Sequence, residues 1–336
     1  MEPVLRPSFP RESEPVRSPW PSVPVPRRRQ RGPALNLVLF AATFLTASMA
    51  SALNQGVDIF SHPLAIYAGF PFAITVMTIL LFHESGHYLL ARAHGVDATL
   101  PFFLPAPPIF LFGTFGAFIR MRSLPQDRRA LFDIGAAGPW AGFLVAVPAV
   151  IIGLQLSEVR PLGPAEGGLI LGDSLLFSWL THLVLGVNPD KVTVLLHPIA
   201  LAGWFGLLVT CFNLLPVGQL DGGHVAYAVF GRHHRWIARG ILTFVLVLGF
   251  GGWAGWFVWA IMFLVLGLDH PPTWDPATRL DRRRLVAAAL TLGMLIVTFM
   301  PEPISIAEPG ESPIFEGERV PVSSPARPMH GLVIPL

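Results

Sequence analysis

A long apolar run, Leu64–Ala91, contains two histidines and a glutamate in its C-terminal half. They are His83, Glu84 and His87, in the sequence His-Glu-Ser-Gly-His. Ionisable side chains are costly in the hydrocarbon core of a bilayer, so a cluster of them within an apolar run indicates a functional site. The run therefore predicts a transmembrane helix that carries a polar site, and this prediction constrains the fold more than any other stretch of the chain.

The spacing of these three residues is typical of a metal site on a helix. Residues four apart lie on one face, so His83 and His87 can both reach one ion. Glu84 lies one position round from His83, where it can bind and deprotonate an attacking water. Two packing histidines beside a satisfied glutamate are the alternative, but nothing nearby in the sequence would neutralise Glu84. A third ligand must come from elsewhere, because catalytic zinc usually takes three protein ligands.

The composition agrees with a polytopic membrane protein. Hydrophobic residues make up 52% of the chain and charged residues only 13%, whereas about a quarter is usual for soluble domains. The single cysteine, Cys211, excludes an internal disulfide and a thiolate zinc cage. Because a spanning helix needs about 20 apolar residues, further spans are predicted at Leu35–Leu53, Ala130–Leu156, Val194–Val217 and Leu285–Met300.

Three other segments need separate interpretation. Gly240–Leu268 has glycines at its centre, which favours a hairpin of two short helices over a single span. Gly168–Val187 contains Asp173 and His182, which favours a helix at the membrane surface, although a spanning helix is the alternative. Phe110–Met121 is rich in aromatic residues and glycine, and it is predicted to form a short re-entrant hairpin or strand against the protein interior.

The distribution of positive charge predicts the orientation. Most of the 23 Lys and Arg residues fall in alternate connections, starting with the N-terminal segment, and the positive-inside rule makes these connections cytosolic. The predicted fold is an all-α polytopic membrane protein of about seven transmembrane helices with a cytosolic N-terminus, and with a re-entrant β-hairpin-like segment near the active site. Residues 35–300 form its transmembrane domain. The Pro/Arg-rich segment 1–34 and the Pro/Glu-rich segment 301–336 are predicted to be disordered tails.

A second polar cluster follows the fourth apolar run, in the sequence NLLPVGQLDGGH over residues 213–224. The predicted topology places it at a depth similar to that of the first motif. Asp221 is the natural third ligand, because two imidazoles and a carboxylate make a three-ligand zinc site. Pro216 breaks the helix, and Gly222 lets the backbone turn and approach closely. An ordinary helix end with Asp221 as a turn residue is the alternative, but it leaves the matching depth unexplained.

Other polar residues of this region have secondary roles in the prediction. Asn213 carries an amide that could donate a hydrogen bond to a developing oxyanion or hold a substrate carbonyl. His224 is an alternative metal ligand, although a place beside the ligands or near the headgroups is favoured. The remaining histidines, including His234 and His270, have no partner pattern and are interpreted as structural or surface residues.

Together these motifs resemble the site-2 protease family of intramembrane zinc metalloproteases. HESGH at 83–87 and NLLPVGQLDG at 213–222 match the two motifs of that family in full, and Gly138 to Gly142 in GPWAG fits a third, looser motif. PFFLPAPP, GTFGAFIRMRS and ALFDIGAAGP are similar to the branch that includes bacterial proteins and plant chloroplast relatives. The resemblance covers roughly residues 64–300, and no segment is long or polar enough for the PDZ domain that many members carry.

The resemblance implies that His83, His87 and Asp221 bind one Zn²⁺ ion and that Glu84 is the general base. Asn213 would bind the substrate backbone or stabilise the intermediate. The implied reaction is hydrolysis of peptide bonds within or next to transmembrane segments of single-span membrane proteins, often in regulated intramembrane proteolysis. The supporting backbone positions would be Gly138, Gly142, Pro216 and Gly222.

Two rival functions use the same residues without hydrolysis. One is a membrane zinc-binding or transport protein, which would favour further ligands along a path, and the spans show no second cluster. The other is a catalytically silent homologue, against which the intact Glu84 argues. The expected partners are the lipid bilayer and single-span substrates, with no nucleic acid, and the oligomeric state stays open. An N-terminal motif of the chloroplast branch is not found, which favours a prokaryotic plasma membrane, with a thylakoid membrane as the alternative.

Overall fold

Over the residues that the structure describes, the architecture is mostly helical, with two small β-sheets. The structure is a computed structural model and describes residues 32–161, 168–187, 192–307 and 332–335. A 3₁₀ helix, Pro63–Gly69, leads directly into the second α-helix. The α-helices are α1 (Ala34–Asn54), α2 (Phe70–Ala93), α3 (Arg128–Gln155), α4 (Leu175–Leu185), α5 (Pro198–Asn213), α6 (Asp221–Phe230), α7 (His234–Gly251), α8 (Gly255–Leu266) and α9 (Arg282–Thr298).

The described strands form one hairpin and one mixed sheet. In the hairpin, β1 (Phe102–Pro105) and β2 (Thr114–Phe118) pair antiparallel. The second sheet has the strand order β3-β5-β7-β4-β6, in which only the β5–β7 pair is parallel. Its strands are β3 (Glu158–Pro161), β4 (Gly168–Leu171), β5 (Val192–Leu195), β6 (Ile304–Ala307) and β7 (Leu332–Pro335). The strand predicted within Phe110–Met121 is confirmed by β2, whereas its hairpin partner β1 lies before that range.

Among the described residues, three helical segments are long and apolar enough to cross a membrane, namely Ala34–Asn54, Pro63–Ala93 and Arg128–Gln155. Each coincides with a predicted span. The helices α5, α8 and α9 have only 16, 12 and 17 residues, and α7 carries charged residues in its first turns. Because a spanning helix needs about 20 residues, the layout with seven transmembrane helices is not confirmed.

The two segments with alternative interpretations now have defined elements. Gly240–Leu268 contains most of α7 and all of α8, so the prediction of two short helices is confirmed. Gly168–Val187 begins with a strand and continues as α4, whose 11 residues are too few to span a bilayer. The Ser174 side chain begins α4 by accepting a hydrogen bond from the Phe177 N–H at 3.1 Å, and Gly186 ends it with φ +65°.

The prediction of an all-α fold is wrong where the five-stranded sheet forms. Each of its strands has four residues, which is too short for a clear alternation of apolar and polar residues. Two of them, β6 and β7, lie in the segment 301–336 that the sequence assigns to a disordered tail. The rest of that tail and residues 1–31 lie outside the described residues, so the domain division stays a prediction.

Small residues bring α2 and α5 close to α3. A Cβ on Gly86 of α2 would lie 2.5 Å from the Ala137 carbonyl oxygen of α3, and one on Gly153 of α3 would lie 2.1 Å from the Ala200 nitrogen of α5. Such close approach is typical of membrane helices, where packing rather than the hydrophobic effect holds helices together. The helix α2, which carries the first polar motif, and the helix α5, which ends at the start of the second, are thereby fixed relative to α3.

An ion network attaches the start of α9 to α3. Arg284 donates two hydrogen bonds to Asp133, from Nε to Oδ1 at 2.8 Å and from Nη2 to Oδ2 at 2.6 Å, and it also pairs with Asp281. His94, just after α2, lies 2.9 Å from the same Asp133 carboxylate. Two-pronged arginine–carboxylate pairs are among the stronger hydrogen-bonded contacts in proteins. The network therefore joins three helices at one end of the molecule.

Candidate metal centre

The histidines of the HESGH motif are buried between α2 and α3. His83, Glu84 and His87 are 3%, 4% and 6% exposed. His87 Nδ1 lies 2.7 Å from the Ile134 carbonyl oxygen. Because a carbonyl can only accept, His87 Nδ1 carries a proton, and in the neutral ring Nε2 then presents a lone pair. Metal-binding histidines are commonly oriented in this way, through a hydrogen bond from the other ring nitrogen.

Two glycines of α3 leave room for these rings. A Cβ on Gly138 would lie 2.0 Å from His87 Nε2, and one on Gly142 would lie 3.1 Å from His83 Nδ1. The first distance is a collision, and the second is tighter than ordinary van der Waals contact. Both positions, which the sequence singles out as supporting ones, therefore contact the imidazoles directly.

Asp221 approaches the histidines from the first turn of α6. The helix α5 ends at Asn213, and the chain turns through Pro216 before α6 begins at Asp221. The turn is tight, because a Cβ on Gly222 would lie 1.9 Å from the Leu214 carbonyl oxygen. Only glycine fits that approach, so the sequence Asp-Gly places the carboxylate where the chain folds back.

The other end of α6 is held by α3. Arg128 donates hydrogen bonds from Nε to the Ala228 carbonyl oxygen at 2.8 Å and from Nη2 to the Val229 carbonyl oxygen at 2.7 Å. These carbonyls lie in the last turn of α6, where no further helical turn supplies donors. The short helix that carries Asp221 is therefore anchored to the same helix that packs against the histidines.

The three predicted ligands meet. Asp221 Oδ2 lies 3.1 Å from His83 Nε2, Asp221 Oδ1 lies 3.2 Å from His87 Nε2, and the two Nε2 atoms are 3.2 Å apart. Zinc bonds of about 2.0–2.2 Å in a tetrahedral site place ligand atoms roughly 3.3 Å from one another. The spacing and the mixture of imidazole and carboxylate donors fit such an ion, so this group could hold a metal.

Two further residues of the predicted site border this group. Asn213 Nδ2 lies 3.3 Å from His83 Nε2. The Glu84 carboxylate accepts a hydrogen bond from the backbone N–H of Ile119, which directly follows β2. The outer edge of the hairpin therefore lies beside the glutamate of the motif.

A pair of hydrogen-bonded histidines lies next to the metal centre. His224, one turn after Asp221 on α6, packs over α3, where a Cβ on Gly135 would lie 2.6 Å from His224 Cβ. Its Nδ1 lies 2.6 Å from His270 Nε2. Among the described residues, the convergent group comprises His83, His87 and Asp221 without His224. No local pattern signals the His224–His270 pair, because the two residues are 46 positions apart.

The sequence profile of peptidase family M50 matches residues 71–251, a range that contains both motifs and more than half of the chain. The chain belongs to peptidase family M50. This assignment agrees with the resemblance to site-2 proteases, and the HESGH and Asp-Gly motifs that carry it are the segments that meet at the candidate metal centre.

Several plant proteins are similar to this M50 chain. The probable zinc metalloprotease EGY1, chloroplastic, of Oryza sativa subsp. japonica is 32% identical over 243 residues, which cover 70% of this chain and 41% of the relative. EGY1 of Arabidopsis thaliana is 33% identical over 249 residues, covering 72% and 44%. The probable zinc metalloprotease EGY2, chloroplastic, of Arabidopsis thaliana is 30% identical over 240 residues, covering 70% and 42%. The M50 chain thus spans about two-fifths of the length of these relatives.

Proposed function

We propose that the protein is an intramembrane zinc metalloendopeptidase that cleaves peptide bonds within or next to the transmembrane segments of single-span membrane proteins. The observation that carries this proposal is the meeting of His83, His87 and Asp221 beside the buried Glu84. Membership of family M50 and relatives named zinc metalloproteases support it. The presence of helices apolar enough to cross a membrane supports an intramembrane site.

The roles of the residues follow from their chemistry. His83, His87 and Asp221 would hold the zinc ion. When bound, the ion supplies a Lewis acid that polarises the scissile carbonyl and lowers the pKa of an attacking water to about 7. Glu84 accepts the proton of that water and delivers it to the leaving amine. Asn213 donates from its amide to the substrate carbonyl oxygen as negative charge develops there.

The substrate must be presented in an extended form. A transmembrane helix keeps its carbonyls in internal hydrogen bonds, so a short stretch has to unwind before a carbonyl can be attacked. The hairpin is two-stranded, with β1 on one side of β2. The Ile119 N–H points to Glu84, away from β1. Successive backbone N–H groups of a strand point alternately to its two edges. The Ala117 N–H, two residues earlier, therefore faces the same edge of β2 as the Ile119 N–H. An unwound substrate could pair there by strand addition.

A proline at position 117 tests this edge. Ala117→Pro removes an outward N–H and leaves the ladder to β1 intact, so we expect cleavage to fall by about tenfold, the effect of losing one well-placed hydrogen bond, with zinc content unchanged. Ala117→Gly is the matched control, because it retains the N–H. Unchanged cleavage in the proline variant, or an equal loss in both variants, would contradict strand addition at β2.

We further propose that the protein is a multi-pass membrane protein whose products include regulatory fragments. The relatives with chloroplastic in their names favour the thylakoid alternative. The comparisons offer no support for the prokaryotic plasma membrane that the sequence favours.

Metal removal and reloading test the proposed function. The purified chain is expected to contain one zinc ion and to cleave a synthetic single-span peptide with about 20 apolar residues. Chelation should abolish this cleavage, and added Zn²⁺ should restore it. A chain that retains zinc, cleaves none of a panel of single-span peptides and carries zinc into proteoliposomes would instead be a transporter.

A further inference from the structure

Three glycines on one face of α3 each accommodate a histidine, and one of these histidines has no role in the mechanism above. The pairs are Gly142 with His83, Gly138 with His87 and Gly135 with His224. Gly135 and Gly138 are separated by about 4.5 Å along the helix axis. His224 therefore lies about one helical turn from His87, towards the N-terminal end of α3, which the predicted topology places on the cytosolic side.

A chain of hydrogen bonds fixes the proton positions on His224. His270 Nδ1 lies 2.6 Å from the Pro271 carbonyl oxygen, which can only accept, so this nitrogen carries a proton. Burial and the neighbouring His224 lower the pKa of His270 to about 3, so the ring is neutral and its Nε2 is an acceptor. His224 Nδ1, 2.6 Å from that Nε2, must therefore donate.

The other ring nitrogen of His224 is left with a lone pair. The residue is only 8% exposed. Burial lowers the pKa of His224 to about 4, although the nearby Asp221 acts in the opposite direction, so the ring is neutral. In the part of the chain that the structure describes, His224 Nε2 has no hydrogen-bond partner. His224 Nε2 is therefore a hydrogen-bond acceptor, and the hydrogen bond to His270 fixes the orientation of the ring.

His224 borders a cavity of about 170 Å³. One part of the lining is Met121–Pro125, which continues the chain from the Ile119 position beside Glu84. Another part is His270–Thr273, which contains two prolines and so offers few backbone donors. An extended peptide that follows the outer edge of β2 past Glu84 would continue into this cavity, where its backbone N–H groups need acceptors.

We propose that His224 is a substrate-positioning residue, whose Nε2 accepts a hydrogen bond from a backbone N–H of the substrate on the cytosolic side of the scissile bond. His270 orients the ring. This inference rests on the proposed function and deepens it. An extended chain advances about 3.3 Å per residue, so the contacted N–H belongs to a residue within about two positions of the scissile bond.

Replacement of single substrate amides by esters tests this contact, because an ester lacks the N–H donor. The probe is a synthetic single-span peptide with about 20 apolar residues that the wild-type chain cleaves, remade with one ester at each of the nearest backbone positions on the cytosolic side. At one of these positions we expect KM to rise by about 3- to 10-fold, with a smaller change in kcat.

Two variants of the full chain distinguish the role of His224 Nε2 from that of His224 Nδ1. His224→Gln places an amide oxygen near the position of Nε2, whereas His224→Asn reaches only to the position of Nδ1. We expect His224→Gln to retain the preference for the amide over the ester and His224→Asn to lose it. Both variants should bind zinc as tightly as the wild type. His233→Ala, at an exposed position of the 3₁₀ helix Gly231–His233, is the control and should behave as the wild type.

Equal KM for amide and ester at every position in the wild type would overturn the proposal, and so would full discrimination by His224→Asn. Loss of zinc from His224→Asn would also overturn it, because the ring would then support the metal site rather than the substrate. Failure of the wild type to cleave the unmodified peptide is a separate result, since it counts against the proposed function itself.

Discussion

Replacing Glu84 with glutamine is expected to reduce cleavage of a single-span peptide by about 10²- to 10⁴-fold, the usual contribution of a general base. Glutamine keeps the size of the side chain and can still accept from the Ile119 N–H, but it cannot take a proton from water. Zinc content should stay at the wild-type level, because Glu84 is not among the three convergent ligands. The measurement is kcat with the same peptide, together with metal analysis of the purified variant.

Glu158→Gln is a matched control for this experiment. Glu158 lies on β3 and forms an exposed ion pair with Arg160 at 3.1 Å, and such pairs contribute little. Its replacement should leave both cleavage and zinc unchanged. Full activity of Glu84→Gln would remove the general base from the mechanism, whereas loss of zinc from this variant would show that Glu84 helps to hold the metal.

A single methyl group at position 138 is expected to weaken zinc binding strongly. In Gly138→Ala the new Cβ would lie 2.0 Å from His87 Nε2. The ring cannot easily retreat, because its Nδ1 is bound to the Ile134 carbonyl oxygen at 2.7 Å. We expect zinc affinity to fall by about 100-fold, at the upper end of the effects seen when a ligand loses its supporting contacts. Competition with a chelator measures this directly.

Two other glycines provide a graded comparison. A Cβ on Gly142 would lie 3.1 Å from His83, so Gly142→Ala should weaken zinc binding less than Gly138→Ala. Gly293 of α9 has open space around it, so Gly293→Ala should leave zinc binding unchanged, while alanine itself favours the helix by roughly 0.5–1 kcal/mol. Wild-type affinity in Gly138→Ala would mean that the His87 ring is free to move away from α3.

The three residues of the candidate metal centre could be singled out from the sequence because each carries a local signal. His83 and His87 have the four-residue spacing of one helix face, and Asp221 follows a helix-breaking proline in an apolar run. Their meeting could not be derived from spacing alone, since it depends on how α2 and α6 pack on α3. The predicted topology supplied only a similar depth in the membrane for the two motifs.

Contacts between residues that are distant in the sequence could not be predicted from it, because no local pattern marks them. The His224–His270 pair and the bidentate Arg284–Asp133 pair each connect side chains that look unremarkable in their own segments. The five-stranded sheet has the same origin, because each short strand is stabilised only by partners from elsewhere in the chain. Likewise, the apolar run Val194–Val217 predicts a span, whereas the observed helix is shortened at both ends, by the strand β5 and by the turn at Pro216.

The wide separation of the ligands along the chain also affects biosynthesis. His83 and Asp221 are 138 residues apart. At a translation rate of about 5–20 residues per second, His83 is added roughly 7 to 28 s before Asp221. During that interval the nascent chain presents two imidazoles without their carboxylate partner, so the three-residue candidate metal centre can assemble only after the motif that contains Asp221 has been made.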